Sequence, residues 1–159
     1  MDIDVLGSYN TLKATLPHLV KSAGNHKNNG KTTNPAGTGG RIIFMSATIH
    51  YTTMPMQAHV SVAKAGVDAL SHTTAVEFGP RGVTSNIIAP GPISGTEGME
   101  RLATKASTEK ANKSIPSGRY GTVKEIADAT IYLFSDAGNF VNGHALVGGL
   151  PNASYDHVC

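Results

Sequence analysis

Residues 59–70 read His-Val-Ser-Val-Ala-Lys-Ala-Gly-Val-Asp-Ala-Leu, and this stretch decides the fold. Here and just beyond, apolar or small side chains recur at the spacing of an amphipathic helix. These positions are Val60, Ala63, Val67, Leu70, Thr74 and Phe78. The spacing predicts a helix over residues 57–79 with one lysine, Lys64, near its start.

The segments on either side of this helix have the character of buried strands. Residues 41–47 begin Arg-Ile-Ile-Phe-Met, and residues 83–89 read Val-Thr-Ser-Asn-Ile-Ile-Ala before a Pro-Gly break. A strand, a helix and a second strand form a βαβ unit of a parallel sheet. Because ligands of open α/β sheets bind beyond the carboxyl ends of the strands, the chemistry is expected beside residues 46–48 and 90–92, where the Lys64 helix begins.

The composition excludes several classes of protein. The 159 residues carry 13 basic and 11 acidic side chains, a net charge of +2, so no nucleic-acid partner and no anionic membrane surface is expected. No run of about eighteen apolar residues is present, so no membrane span is expected. The single cysteine, Cys159, excludes disulfides and cysteine-based zinc sites within one chain, and no metal site is predicted. One cysteine fits a reducing or peroxisome-like compartment.

The rest of the chain supplies two further helices and one strand. An apolar stripe predicts a helix over residues 2–23, which Pro17 should bend or make irregular. A capping-box pattern, Thr122-Val-Lys-Glu125, begins a helix that extends to residue 136. A last short strand is expected at residues 144–148. These elements make about half of a doubly wound sheet, with an open edge beside the first strand.

We expect one α/β domain over residues 1–159. Residues 24–40, rich in Gly, Asn, Lys and Thr, are predicted to form a flexible loop. Their glycines precede a strand, whereas a phosphate-binding glycine loop follows one, so no nucleotide cradle is predicted there. Residues 90–117 are predicted to form a substrate or lid loop at the same edge as the site. Residues 151–159 are predicted to form a polar tail.

The candidate site residues also have ordinary structural explanations. An acidic residue such as Asp4 stabilises the start of a helix, and Lys64 alone is consistent with a solvated helix lysine. Ser46 is consistent with a cap at a strand end. His59 is interpreted as a histidine at a helix start, and the Tyr51 hydroxyl has either a loop role or a substrate contact.

A series of short motifs resembles the carboxyl-terminal half of the short-chain dehydrogenases/reductases. Each motif is weak alone, but their order and spacing along nearly the whole chain are specific. They are Asp4-Val-Leu-Gly7, Arg41-Ile-Ile-Phe-Met-Ser46, Ala63-Lys64-Ala65-Gly66, Val76-Glu-Phe-Gly79, Asn86-Ile-Ile-Ala-Pro-Gly91, Gly118-Arg-Tyr-Gly121 and Phe140-Val-Asn-Gly143. The resemblance implies a Rossmann-like doubly wound parallel sheet without its amino-terminal Gly-rich βαβ half.

Four features resemble one branch of that family, the peroxisomal 2,4-dienoyl-CoA reductases. They are Ile3-Asp4 where most relatives have Asn, Ser46-Ala-Thr48, a His59-to-Lys64 stretch without tyrosine, and Pro90-Gly-Pro-Ile-Ser-Gly-Thr-Glu-Gly98, which is the most specific. The resemblance implies a fatty acyl-CoA substrate, NADPH as cofactor and a place in the β-oxidation of unsaturated chains. The reaction implied is reduction of a 2,4-dienoyl-CoA to a 3-enoyl-CoA.

Val60 occupies the position where most members of the family have a tyrosine. A tyrosine one helical turn before the lysine reaches the same reacting carbonyl as the lysine does. Val60 has no proton to give, and the neighbouring His59 is turned by roughly 100° around the helix. A tyrosine-based carbonyl reduction is therefore excluded. The dienoyl-CoA reductases resemble this pattern, because hydride reaches the far carbon of the diene and the dienolate charge rests on the thioester oxygen.

The resemblance also implies a role for each matching residue. Lys64 would bind the nicotinamide ribose and place positive charge near the enolate, and Asp4 would act through a water or as the proton donor. Both are therefore candidate catalytic residues. Ser46 and Thr48 would line the substrate at the strand end. The candidate cofactor-binding residues are Lys64, Pro90, Gly91, Ile93 and Thr96, the last two at the nicotinamide carboxamide.

The chain departs from the family pattern at both ends. It has no Gly-rich strand–turn–helix and no basic residue placed for a 2′-phosphate. The usual Asp-Gly-Gly after the last strand appears as Gly148-Gly149 without the aspartate. The chain ends Asp-His-Val-Cys rather than with a peroxisomal Ser-Lys-Leu address, so a cytoplasmic location is the alternative to a peroxisomal one.

These departures lead us to expect an incomplete domain of low catalytic efficiency. We expect it to form a homo-oligomer, because helices 2–23 and 57–79 resemble the pair that builds a four-helix dimer face in the family. Two alternative functions stay open. One is a non-catalytic dimerisation or interaction module, and the other is a reductase of a different enoyl or oxoacyl thioester.

Overall fold

A computed structural model describes residues 1–25, 39–97 and 115–149. At its centre is a three-stranded parallel sheet in the order β1-β2-β3. The strands are β1 (Arg41–Met45), β2 (Thr84–Pro90) and β3 (Ala145–Gly148). Ile43 is paired with Asn86, and Ile88 with Leu146. The predicted α/β class, the strands and their parallel order are confirmed.

Four α-helices connect and cover these strands in the described part of the chain. They are α1 (Ser8–Asn25), α2 (Ile49–Thr52), α3 (Ala58–Phe78) and α4 (Val123–Phe134). A π-helical segment, Asp2–Gly7, precedes α1, and the bend expected at Pro17 stays a prediction. Helix α1 continues across Pro17, whose exposed position leaves the unpaired carbonyl one turn before it open to water.

The sheet is buried on both faces. Ile87 and Ile88 are successive residues of β2 that point to opposite faces, and they are 0% and 2% exposed. The core on one face joins Leu12 of α1 and Val67 of α3 to the sheet. Helix α4 also packs on β1 and β2. This arrangement is the doubly wound layering predicted from the hydrophobic pattern.

Helix α4 begins at the predicted capping box. The Thr122 hydroxyl accepts a hydrogen bond from the Glu125 amide at 3.2 Å, and the Glu125 carboxylate accepts one from the Thr122 amide at 2.8 Å. At its other end, the Arg41 guanidinium donates to the carbonyls of Leu133 at 2.8 Å and Ser135 at 2.6 Å. The start of β1 is thus tied to the end of α4.

The sequence pattern does not predict α2, which begins shortly after the end of β1. Thr48 accepts the first backbone hydrogen bonds of this short helix from Tyr51 and Thr52. Parts of the predicted loops 24–40 and 90–117, and the tail 151–159, lie outside the described residues. Among the residues that are described, no helix is long and apolar enough to cross a membrane.

A parallel β-bridge joins Ile93 to Gly121. The Gly121 amide donates to Pro92 O at 3.0 Å, and the Ser94 amide donates to Gly121 O at 2.9 Å. The chain that leaves β2 is therefore held beside the chain that enters α4.

Candidate functional site

Lys64 and Asp4 meet at the carboxyl end of β1. Lys64 Nζ donates to Asp4 Oδ1 at 2.8 Å and to the carbonyl oxygen of Met45 at 3.3 Å. The side chains of Lys64 and Asp4 are 20% and 38% exposed. The structure thus brings both candidate catalytic residues together at the sheet edge predicted from the strand order.

Gly66 permits this approach. A Cβ at Gly66 would lie 3.0 Å from Val5 Cγ2, which is tighter than an ordinary van der Waals contact. Because glycine has no Cβ, the segment that carries Asp4 can lie directly on α3. The separation of Lys64 and Asp4 is therefore set by backbone packing as well as by their charges.

Ser46 and Thr48 continue the hydrogen bonding of the sheet beyond β1. Their amides donate to the carbonyls of Ile88 at 2.8 Å and Pro90 at 2.9 Å. Both residues are buried, and the Ser46 hydroxyl donates to the carbonyl oxygen of Lys64 at 3.5 Å. These contacts agree with the simple strand-end role considered for Ser46, and the substrate contacts of both residues stay predictions.

Of the predicted cofactor segment, residues 90–96, only the beginning lies next to Ser46 and Thr48. The Pro90 carbonyl oxygen accepts a hydrogen bond from the Thr48 amide, and the Gly91 amide donates to Gly148 O at 2.5 Å. Further along, the Thr96 hydroxyl donates to the carbonyl oxygen of Ile93 at 3.1 Å. The structure therefore connects Pro90 and Gly91 to the strand ends, while the cofactor contacts of Ile93 and Thr96 stay predictions.

The helix position one turn before Lys64 carries no proton donor. Val60 is half-buried, and His59 is exposed at the start of α3. Tyr51, the other nearby hydroxyl, points inward and donates to Asp68 Oδ2. Burial, with the hydrogen bond to Asp68 and its charge, raises the pKa of Tyr51. Tyr51 is therefore a half-buried residue whose hydroxyl is occupied by Asp68.

Sequence reasoning missed the partners of Tyr51. His50 Nε2 lies 2.7 Å from the same Asp68 oxygen, and both side chains are at most one-tenth exposed. One signal could have found this cluster. Asp68 follows Val67 within the buried stripe of α3, where an aspartate needs a polar partner. Residues 50 and 51 come just after a strand end and carry side chains able to hydrogen-bond to a carboxylate.

This site can offer a bound substrate or cofactor an ammonium group, that of Lys64, whose position is fixed by hydrogen bonds. A lysine ammonium has three protons, and two of those of Lys64 are directed at Asp4 and Met45 O. The remaining proton suits a ribose hydroxyl or an enolate oxygen. Asp4, more than one-third exposed, is able to exchange protons with a neighbouring water.

A family model described as enoyl-(acyl carrier protein) reductase matches residues 1–149. Curated relatives include the peroxisomal 2,4-dienoyl-CoA reductase of Saccharomyces cerevisiae, 48% identical over 152 residues, covering 94% of this chain and 47% of that protein. The Arabidopsis thaliana enzyme of the same name is 41% identical over 154 residues, covering 94% and 49%. The chain spans about half the length of the curated relatives it matches.

Solved structures show the same fold. The gluconate 5-dehydrogenase of Burkholderia cenocepacia, determined with NADP and tartrate, is 27% identical and superposes with a TM-score of 0.74. The match covers 89% of this chain and 49% of that one. The likeness therefore extends over the described sheet and its helices.

Proposed function

This chain belongs to the short-chain dehydrogenase/reductase family, whose members are oxidoreductases, and from that premise we propose that it carries the lysine side of an NADPH-dependent 2,4-dienoyl-CoA reductase site. One observation carries the proposal. Lys64 is paired with Asp4 at 2.8 Å, and Val60 stands one turn before it where a carbonyl reductase needs a phenol. The site therefore offers positive charge without a phenolic acid.

The residues present fit the nicotinamide end of a dinucleotide. The third proton of the Lys64 ammonium suits a ribose hydroxyl. Gly91 passes so close to the end of β3 that a Cβ there would lie 2.0 Å from Gly149 O, so Gly91 presents bare backbone at the strand ends. When bound, the cofactor supplies the hydride. A phosphate partner for NADPH is not among the assigned residues, so the preference for NADPH rests on the family resemblance and on the neighbour solved with NADP.

In the proposed reaction, Lys64 stabilises negative charge that develops on the thioester oxygen of the dienolate. Asp4 keeps the ammonium directed at the site, and its carboxylate orients a water molecule that gives its proton to the dienolate, after which bulk solvent restores that proton. Val60 contributes no proton, so a ketone oxygen receives none from this helix. Ser46 and Thr48 place the end of β1 beside the substrate. The product is a 3-enoyl-CoA.

The test is a comparison of two thioesters with the purified chain. We expect slow NADPH oxidation with 2,4-hexadienoyl-CoA, as befits a chain about half the length of its relatives, formation of the 3-enoyl product, and still less reaction with 3-oxohexanoyl-CoA. Faster reduction of the oxo thioester would contradict the proposal and favour the alternative reductase. Binding of neither NADPH nor the dienoyl thioester in calorimetry would favour a non-catalytic module.

We also propose that the chain self-associates. Several apolar side chains lie exposed on the segment before α1 and along α3, namely Ile3 (89%), Leu6 (52%), Val62 (53%) and Val76 (78%). Apolar patches of this kind on packed helices are typical of subunit contacts. Light scattering at micromolar concentration should show a dimer or larger species, and Val62→Glu should shift it toward a monomer. A monomeric unmodified chain would contradict this proposal.

A peroxisomal location is proposed on the names of the relatives alone. Fluorescence imaging of a tagged chain beside a peroxisomal marker tests it. Diffuse cytoplasmic signal would favour the alternative.

A further inference from the structure

A buried polar cluster adjoins the candidate site and takes no part in the proposed reaction. It consists of His50 and Tyr51 of α2 with Asp68 of α3. Asp68 Oδ2 accepts a hydrogen bond from the Tyr51 hydroxyl and lies 2.7 Å from His50 Nε2. The side chains of His50 and Asp68 are 10% and 8% exposed. His50 and Asp68 are therefore largely removed from water, while Tyr51 is half-buried.

Stability alone does not account for this cluster. Among the described residues, His50 Nδ1 and Asp68 Oδ1 are buried without a hydrogen-bond partner. Burial of a charged group with incomplete pairing is unfavourable, and well-packed apolar residues often replace a buried ion pair without loss of stability. The cluster is better explained by the relative position in which it holds α2 and α3.

On the α2 side, the cluster controls the position of Thr48. The amides of Tyr51 and Thr52 donate to Thr48 O at 2.9 Å and 3.1 Å, so α2 is an immediate continuation of the strand-end segment. Thr48 is in turn bonded to Pro90 O at 2.9 Å. A displacement of α2 would therefore be transmitted directly to Thr48.

On the α3 side, the cluster holds the helical turn that carries Lys64. Asp68 comes one turn after Lys64, so its amide is the helical partner of the Lys64 carbonyl. That carbonyl also accepts the Ser46 hydroxyl at 3.5 Å. The cluster and the Ser46 contact are thus two ties between the strand-end segment and the same turn of α3.

We propose that the His50–Asp68 pair, supported by Tyr51, is a positioning device that holds residues 46–52 against the Lys64 turn of α3. The proposal rests on the proposed function, because that function gives Thr48 and Lys64 their roles. His50 and Asp68 act on the site through these residues and touch no reacting atom themselves.

Two substitutions at one position separate positioning from folding. In His50→Gln, the side-chain amide nitrogen takes the place of the imidazole Nε2 and still donates to Asp68. In His50→Asn, a polar side chain remains, but it is too short to reach Asp68. His72→Leu, at an exposed position of α3, is the control.

The first measurement needs no ligand. Amide hydrogen exchange is followed at Tyr51 and Thr52, with Ile87 in the buried strand as the reference, and NMR follows the Lys64 side chain. In His50→Asn we expect exchange in α2 to accelerate by about tenfold or more while Ile87 is unchanged, because the effect is a local opening. The Lys64 resonances should move, and His50→Gln should restore both readouts. Unchanged amide exchange in α2 would overturn the proposal. So would an equal acceleration of exchange in α2 and at Ile87 if the Lys64 resonances did not move.

The second measurement titrates 2,4-hexadienoyl-CoA and NADPH separately. We expect His50→Asn to weaken thioester binding by about tenfold and NADPH binding by about threefold at most, because Lys64 is the only proposed cofactor contact on the turn that the cluster holds. Equal weakening of both ligands would identify a general structural defect and count against positioning. If the unmodified chain binds no thioester, the proposed function fails, while the exchange result still decides whether the cluster positions this segment.

Discussion

Lys64 Nζ lies 2.8 Å from Asp4 Oδ1, and this ion pair joins the middle of the molecule to its first segment. A second lysine–carboxylate pair, Lys124 and Asp128 at 2.7 Å, lies on the exposed face of α4. The two pairs have nearly the same length and very different surroundings. They provide a matched comparison for the role of the site.

Lys64→Ala should remove most of the dienoyl-CoA reduction. The substitution removes a fixed positive charge beside the developing dienolate, an effect of roughly 2.7–4 kcal/mol or 10²–10³ in kcat if it equals the loss of one oxyanion donor. Steady-state kinetics with 2,4-hexadienoyl-CoA measure it. Lys124→Ala is the control and should leave kcat within about twofold, because exposed pairs contribute little. Equal losses in the two variants would refute a role for Lys64 in the reaction.

Arg41→Leu should destabilise the fold. It leaves the carbonyls of Leu133 and Ser135 without the guanidinium that serves both, and unpaired buried groups cost about 1–3 kcal/mol. Urea denaturation followed by circular dichroism measures the free energy of unfolding. Arg81→Leu, which removes an exposed guanidinium 5.2 Å from the Phe78 ring, should cost at most about 1 kcal/mol. A smaller loss for Arg41→Leu than for Arg81→Leu would contradict this reading.

Glu125 should contribute to stability at neutral pH and lose that contribution in acid. Hydrogen bonds from Arg119, then from the Thr122 amide and hydroxyl, lower the pKa of Glu125 to about 2. In the unfolded chain a glutamate has a pKa of about 4.3, so folding favours the charged form above that value. The contribution should fall as pH drops from about 5 toward 2. Glu125→Gln should flatten this part of the stability–pH curve, and high salt should weaken the effect in the parent. Identical stability–pH curves for the parent and Glu125→Gln would exclude this contribution of Glu125.

Gly91→Ala should disturb the carboxyl ends of β2 and β3. The added Cβ would lie 2.0 Å from the carbonyl oxygen of Gly149, so the backbone must move, at a cost of about 1–3 kcal/mol. Gly148→Ala in the neighbouring strand is the matched control, because its Cβ meets nothing within 4 Å. Thermal unfolding should lower Tm for Gly91→Ala alone. Similar Tm values for the two variants would show that the strand ends adapt easily.

Much of the fold could be predicted from local pattern. The strands around Phe44 and Ile87 are short apolar runs between turn signals, and α3 carries a stripe at helical spacing, so burial alone specifies them. The start of α4 was predictable because a capping box is a local contact between Thr122 and Glu125. The short helix α2 was missed because four residues carry no period.

The site was only partly predictable, since its contacts are distant in sequence. Lys64 and Asp4 are 60 residues apart, and only the family resemblance paired them. The contact between His50 and Asp68 depends on how α2 packs on α3, which no spacing rule describes. Pattern locates the sheet edge where chemistry occurs, whereas three-dimensional packing selects the side chains that meet there.

The bridge between Ile93 and Gly121 has a consequence for how this chain can change over evolution. The residues on both sides of the intervening segment are held together by backbone hydrogen bonds, so the path from β2 to α4 is fixed at its two ends. Amide and carbonyl groups rather than side chains make these contacts, so substitutions at the two ends can preserve them. Substrate preference could then diverge among relatives while the sheet and the Lys64 helix keep their sequence.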